Sequence, residues 1–281
     1  MNSCYFRAGL ITVALAALSV TQLEPASHTQ QVCTLALLPD TYHGQGAAPR
    51  IRNRNGTSGN WSGYAVETRL ASPQKNAVSN VEGSWTIPTL SPSASSQAYS
   101  SFWVGIDGDS DNTVEQIGTE QDWTPNGQQN YVWFEMYPHV AYEIVGFPIA
   151  AGDKFGAGVR YMGSGTFVLS ITNLTRSVAY TVPTRYTKMR QAQRSSAEWI
   201  AEAPYSGGVL PLADFGTAYF SGCVATLNGN LGPIDYSPYW QNEPITKQGT
   251  GGAIKAQPSA LNDTNTRTTS NSAFSVRWFH E

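Results

Sequence analysis

From Asn60 onward the chain consists of short apolar stretches that change character at every second residue, and none sustains a helical period over several turns. Segments rich in Val, Ile, Thr and aromatic residues (WSGYAVE, VEGSWTIP, SFWVGID, YVWFEMYP, FVLSITNL, AEWIAEA and AFSVRWF) are separated by clusters of Gly, Pro, Asn and Ser. That punctuation is the pattern of sandwiches and barrels. RYTKMRQAQRSSAEW is the nearest approach to a helix. Strands do not alternate with helices, and there is no internal repeat. An antiparallel two-sheet β-sandwich is the economical way to bury such faces, so the expected fold class is all-β. All eight tryptophans follow Asn60, which puts the folded domain at residues 58–281.

Upstream, Arg7 precedes an apolar run over residues 8–20 and then the polar stretch TQLEPASHTQ. This is the layout of a secretory signal peptide, placed at residues 1–27, so a secreted protein is expected, extracellular or periplasmic according to host. The run is shorter than the roughly 20 apolar residues of a membrane span, and no later segment qualifies, so no membrane partner is expected. Residues 28–57 carry little periodicity and hold Arg50, Arg52 and Arg54; they read as a pro-segment or a flexible linker. Of three cysteines, only Cys223 lies in the main body, and a bridge to Cys33 requires that the upstream stretch be retained.

Two-residue periodicity assigns faces. In YVWFEMYP, Tyr131, Trp133, Glu135 and Tyr137 share one side, while Val132, Phe134 and Met136 share the other, which is a core face. In SFWVGID, Phe102, Val104 and Ile106 point inward, with Trp103 and Asp107 opposite. In AEWIAEA, Glu198, Ile200 and Glu202 align against Ala197, Trp199 and Ala201. Aromatic rings and carboxylates thus share a non-core face in the first two segments, and carboxylates line one face of the third, as in a substrate cleft. For Glu198 alone, an exposed charged face is the preferred reading.

The residue inventory narrows the chemistry. Only 13% of the residues are charged and the net charge is −3, which argues against nucleic acid as a partner. There is no HExxH, and only His139 and His280 lie beyond residue 57, so neither metal hydrolysis nor a serine triad is supported. DGDSDN at 107–112 lacks the glycine and glutamate of a calcium loop and reads as an acidic turn. No metal or other cofactor is expected. Carboxylates and amides remain. They suit acid hydrolysis of peptides, and by composition alone a glycosidase or a non-catalytic carbohydrate-binding sandwich equally well. Sequons occur at Asn55, Asn60, Asn173 and Asn262.

Five segments, in order, resemble the glutamic peptidases (eqolisins): NWSGYAV at 60–66, SFWVGIDGD at 101–109, TVEQIG at 113–118, WFEMYP at 133–138 and SSAEWIAEAP at 195–204. The resemblance implies a concanavalin A-like or jelly-roll type β-sandwich with a concave substrate cleft, and polypeptide substrates. It implies that Gln116, in its Gln-x-Gly context, and Glu202, the second glutamate of its segment, form the catalytic pair. Trp103, Asp107 and Glu135 would support them. Trp61, Trp133 and Tyr137 complete the expected substrate-binding or supporting set. A monomer is expected. Asp111 and Asn112 stand where many fungal members carry a cysteine, so their disulfides do not transfer.

Overall fold

The computed structural model describes residues 4–6, 31–33, 36–39, 50–51, 56–261 and 271–281. Residues 7–27 of the expected signal peptide and most of the 28–57 stretch lie outside the described residues. The strands in chain order are β1 (Cys4–Phe6), β2 (Gln31–Cys33), β3 (Ala36–Pro39), β4 (Thr57–Ser58), β5 (Trp61–Glu67), β6 (Val78–Thr86), β7 (Ala98–Ile106), β8 (Val114–Thr124), β9 (Gly127–Tyr137) and β10 (Tyr142–Val145). There follow β11 (Lys154–Gly163), β12 (Thr166–Asn173), β13 (Val178–Thr181), β14 (Ser196–Glu202), β15 (Thr217–Leu227), β16 (Asn230–Pro233), β17 (Gln241–Gln248), β18 (Ile254–Pro258) and β19 (Phe274–Trp278). Where the sequence came nearest to a helix, the chain makes one 3-10 turn, Thr184–Tyr186, and then enters β14.

Pairing runs in two series. One is β3–β10–β9–β8–β7–β14–β5–β17, antiparallel throughout. The other runs from β1 through β2, β13, β12, β11, β6, β15, β19 and β18 to β17 and β4, with β16 alongside β15. Its β2–β13 and β4–β17 contacts are parallel. The series meet in β17, whose residues 241–245 pair with β5 while residues 246–248 pair with β4 and β18. The two expected sheets are therefore one continuous set of strands.

The main core takes side chains from both series: Phe102, Val104 and Ile106 of β7 and Phe134 of β9 meet Trp85 of β6 and Phe155 of β11. Burying an aromatic or branched apolar side chain of this size stabilises by roughly 1.5–3 kcal/mol. The buried indoles also stitch the layers, because a buried N–H needs an acceptor. Trp85 Nε1 donates to Thr119 Oγ1 of β8 at 2.9 Å, and Trp199 Nε1 of β14 donates to the Glu82 carbonyl of β6 at 2.7 Å. Gly83 makes room for this second contact, since a Cβ there would lie 2.7 Å from the Trp199 ring. Cys223 is a free thiol buried in this core.

Candidate active site

The first series of strands carries a second apolar cluster on the face away from the main core: Trp61, Ala65, Trp103, Trp133, Ile200 and Ile245, with Tyr131 and Tyr137 against it. The face assignments for β7, β9 and β14 hold: Phe102, Phe134 and Trp199 belong to the main core, and Trp103, Trp133 and Ile200 to this cluster. Trp61 meets Trp103 edge to face, with ring centroids 4.9 Å apart.

Cross-strand register arranges this face in rows. One row runs Glu243–Ala65–Glu198–Gly105–Gln116–Glu135. The next is Ile245–Gly63–Ile200–Trp103–Gly118–Trp133, and beyond it lie Trp61–Glu202–Ser101–Glu120–Tyr131. Gln116 and Glu202 therefore share a face, with the tryptophan row between theirs. Trp103 fits there because Gly118 faces it; a Cβ on Gly118 would lie 2.4 Å from the Phe102 carbonyl and 2.5 Å from Trp103 Cβ.

Both polar side chains are anchored. Gln116 Nε2 donates to Glu135 Oε2 at 2.7 Å, which fixes the amide plane and leaves its second N–H available as a donor. Glu202 Oε2 accepts from Trp103 Nε1 at 2.9 Å, and its Oε1 accepts from Asn60 Nδ2 at 2.9 Å. Burial pushes the Glu202 carboxyl up to about 8; these hydrogen bonds oppose the rise and the charge of Glu120 adds to it. Gln116, Glu135 and Glu202 are all fully buried.

Asp107 stands apart from these rows. It follows β7 at φ +72°, and its carboxylate accepts from the backbone N–H groups of Arg194 at 2.6 Å and Ser195 at 2.7 Å. It thus ties the entry of β14 to the end of β7. Burial, with Asp111 adding, pushes it up to about 8. The DGDSDN segment forms a turn in which Asp111 Oδ1 accepts from the N–H groups of Gly108 and Thr113. Glu198 is fully buried in the Gln116 row, which corrects the exposed reading; burial drives its pKa well above the carboxylate range.

Four contributors escaped the sequence reading. Glu120 follows Gln116 and Gly118 at the two-residue period, so extending the alternation along β8 would have found it. Asn60 precedes its strand, where alternation is silent. Arg50, in the stretch read as pro-segment or linker, is buried and bonds through Nη1 to Asp109 Oδ1 and Glu243 Oε2, each at 2.5 Å. Lys247 of β17 is 1% exposed. Two sequons are structural: Asn60 holds Glu202, and buried Asn173 donates to the Pro148 carbonyl and Asp153.

This all-β face presents an anchored amide, Gln116, and an anchored carboxyl, Glu202, among tryptophans. The sequence model of the Peptidase A4 family covers residues 59–273, and the chain belongs to that family of glutamic endopeptidases. Aspergillopepsin-2 of Aspergillus niger is 29% identical over 217 residues, 68% of this chain and 74% of the relative. Scytalidopepsin B of Scytalidium lignicola is 29% identical over 175 residues, 57% of this chain and 66% of the relative. Among solved structures, scytalido-glutamic peptidase with a transition state analog inhibitor superposes with a TM-score of 0.60 at 22% identity, covering 79% of this chain and 98% of that one. Aspergilloglutamic peptidase from Aspergillus niger gives 0.52 at 23% identity, covering 65% of this chain and 99% of that one.

Proposed function

We propose that the chain is a secreted acid endopeptidase in which Glu202 is general base and then general acid and Gln116 stabilises the oxyanion. The observation that carries this reading is the placement of two anchored groups on one tryptophan-lined face, Gln116 held by Glu135 and Glu202 held by Trp103 and Asn60. Glu202 takes a proton from a water that attacks the scissile carbonyl. The free N–H of the Gln116 amide donates to the oxygen as it gains charge. Protonated Glu202 then passes its proton to the departing amine. An amide suits the oxyanion role because it stays neutral at every working pH.

With the site buried, Glu202 holds its proton. Access of water to the face and the donors Trp103 and Asn60 favour the ionised form needed for the first step. Substrate needs the face uncovered; Arg50, upstream of β4, is docked on Asp109 and Glu243 at its edge. Secretion rests on the leader read at residues 1–27, and a monomer remains the expectation from sequence. Inhibitor-bound relatives of the same fold support a polypeptide as substrate.

The test is proteolysis of a denatured protein across pH 2–7, after acid incubation, by wild type, Glu202→Gln and Gln116→Ala. Activity in acid should survive pepstatin and chelators. It should vanish in Glu202→Gln and fall on the order of 100- to 1000-fold in Gln116→Ala. Substantial turnover by either variant removes that residue from the mechanism.

A further inference from the structure

Lys247 is buried on β17, in register with Ser58 of β4. Its Nζ donates to the carbonyl oxygen of Gly59. The same turn continues into Asn60, whose Nδ2 holds Glu202 Oε1 at 2.9 Å. Asn60 is fixed in turn: its Oδ1 accepts from Ser58 Oγ and from Ile51 N, each at 2.9 Å, and its carbonyl accepts from Ala203 N at 3.0 Å. Ammonium, turn and catalytic carboxyl form one connected unit.

An ammonium carries three donors and no acceptor, and burying one without a counter-charge is costly. Among the described residues no carboxylate forms an ion pair with Lys247. The charged neighbours on the surrounding elements are few. Lys255 of β18 and Glu281 line the same cavity of about 750 Å³, together with Ile51, Gly59 and Leu210. Glu281 is held by Ser93 Oγ at 2.6 Å and Ser95 N at 3.1 Å; against some burial, these bonds, with the Lys255 charge adding, draw its carboxyl down. Glu120 of β8 lies in the Glu202 row. The Gly59–Asn60 turn links Lys247 to Glu202, and the Glu202 charge acts on the Lys247 amine.

We propose that Lys247 is a positioning residue for Glu202: its charge favours the carboxylate in acid, and its bond to Gly59 seats Asn60 on that carboxylate. The proposal rests on Glu202 being the base. Burial, with Lys255 adding, lowers the Lys247 amine to about 8 while Glu202 pulls it back up, so the lysine is cationic throughout the acid range. A nearby opposite charge typically lowers a carboxyl by about 1–3 units.

The experiment measures kcat/KM from pH 2 to 7 for the acid-incubated full chain, K247Q and K247R. K247Q keeps a donor for the Gly59 carbonyl and removes the charge. Its acid limb should move up by about one unit, a roughly tenfold loss below the limb, with the plateau unchanged. K247R should restore the limb. An unmoved limb, or an equal loss at every pH, overturns the proposal. A second measurement leaves position 247 intact: the Lys247 amine, titrated by NMR, should ionise at lower pH in Glu202→Gln because its counter-charge is gone. An unchanged titration overturns the coupling even if K247Q does not fold. Activity retained by Glu202→Gln would instead defeat the base assignment, whatever Lys247 does.

Discussion

Trp103 can offer Glu202 a donor and nothing else, because an indole nitrogen carries a proton and no available lone pair. Its bond at 2.9 Å therefore favours the carboxylate over the acid. Removing that donor while keeping the ring separates the electrostatic role from the packing role. Trp103→Phe should raise the acid limb of the pH–rate profile and cost about 10- to 100-fold in kcat/KM in acid, the worth of a hydrogen bond to a charged group. A uniform change in KM, with the limb unmoved, would make Trp103 a wall of the cleft only. The resemblance to the family is what singled out Gln116 and Glu202 in the sequence. Their anchors were legible in part. Trp103 and Glu135 follow from alternation along their own strands, but Asn60, Lys247 and Arg50 reach the site from distant positions through contacts that no local pattern encodes.

At the level of strands, β7, β9 and β14 were readable because each alternates over at least five residues between large apolar and polar or aromatic side chains. Register was not. Which residues share a row depends on how β5, β7, β8, β14 and β17 align, and they are separated by up to about 180 positions in the sequence. Glu198 shows the consequence: alone it reads as a surface charge, whereas strands on both sides bury it between Ala65 and Gly105. The β7–β8 alignment has a specific weak point. Gly118→Ala would drive its methyl into the backbone of β7 and the stem of Trp103. Overpacking of this kind costs about 1–3 kcal/mol, so the midpoint of denaturant unfolding should fall, and activity with it, because the Gln116 and Trp103 rows move together. An unchanged midpoint would mean that the strands slide apart freely and that register does not set the site.

For the molecule as a whole, pH acts through buried carboxyls. Asp107 and Glu202 are raised to about 8, and Glu115 and Glu198 are raised in the same direction, burial being the main cause in each. Carboxyls of the unfolded chain ionise near 4. The folded state therefore binds more protons between those values, and the stability these groups contribute is complete below about pH 4 and is lost as pH rises toward 8. Asp153, lowered by Arg176 and Asn173 despite some burial, acts in the opposite sense at the acid end. Thermal unfolding followed from pH 3 to 8 should show the midpoint falling by about 10 °C or more over the upper part of this range. A midpoint that rises through it would mean that these carboxyls are ionised in the fold. The shared strand β17 bears on how such an enzyme is made. Its partner β5 is complete by residue 67, yet β17 begins only at Gln241. Long-range pairing of this kind cannot form until both segments exist. Glu243 and Lys247 ride on that late strand, so a chain still emerging from the ribosome lacks one edge of the tryptophan-lined face. The order of synthesis thus postpones proteolytic power until β17 has been made.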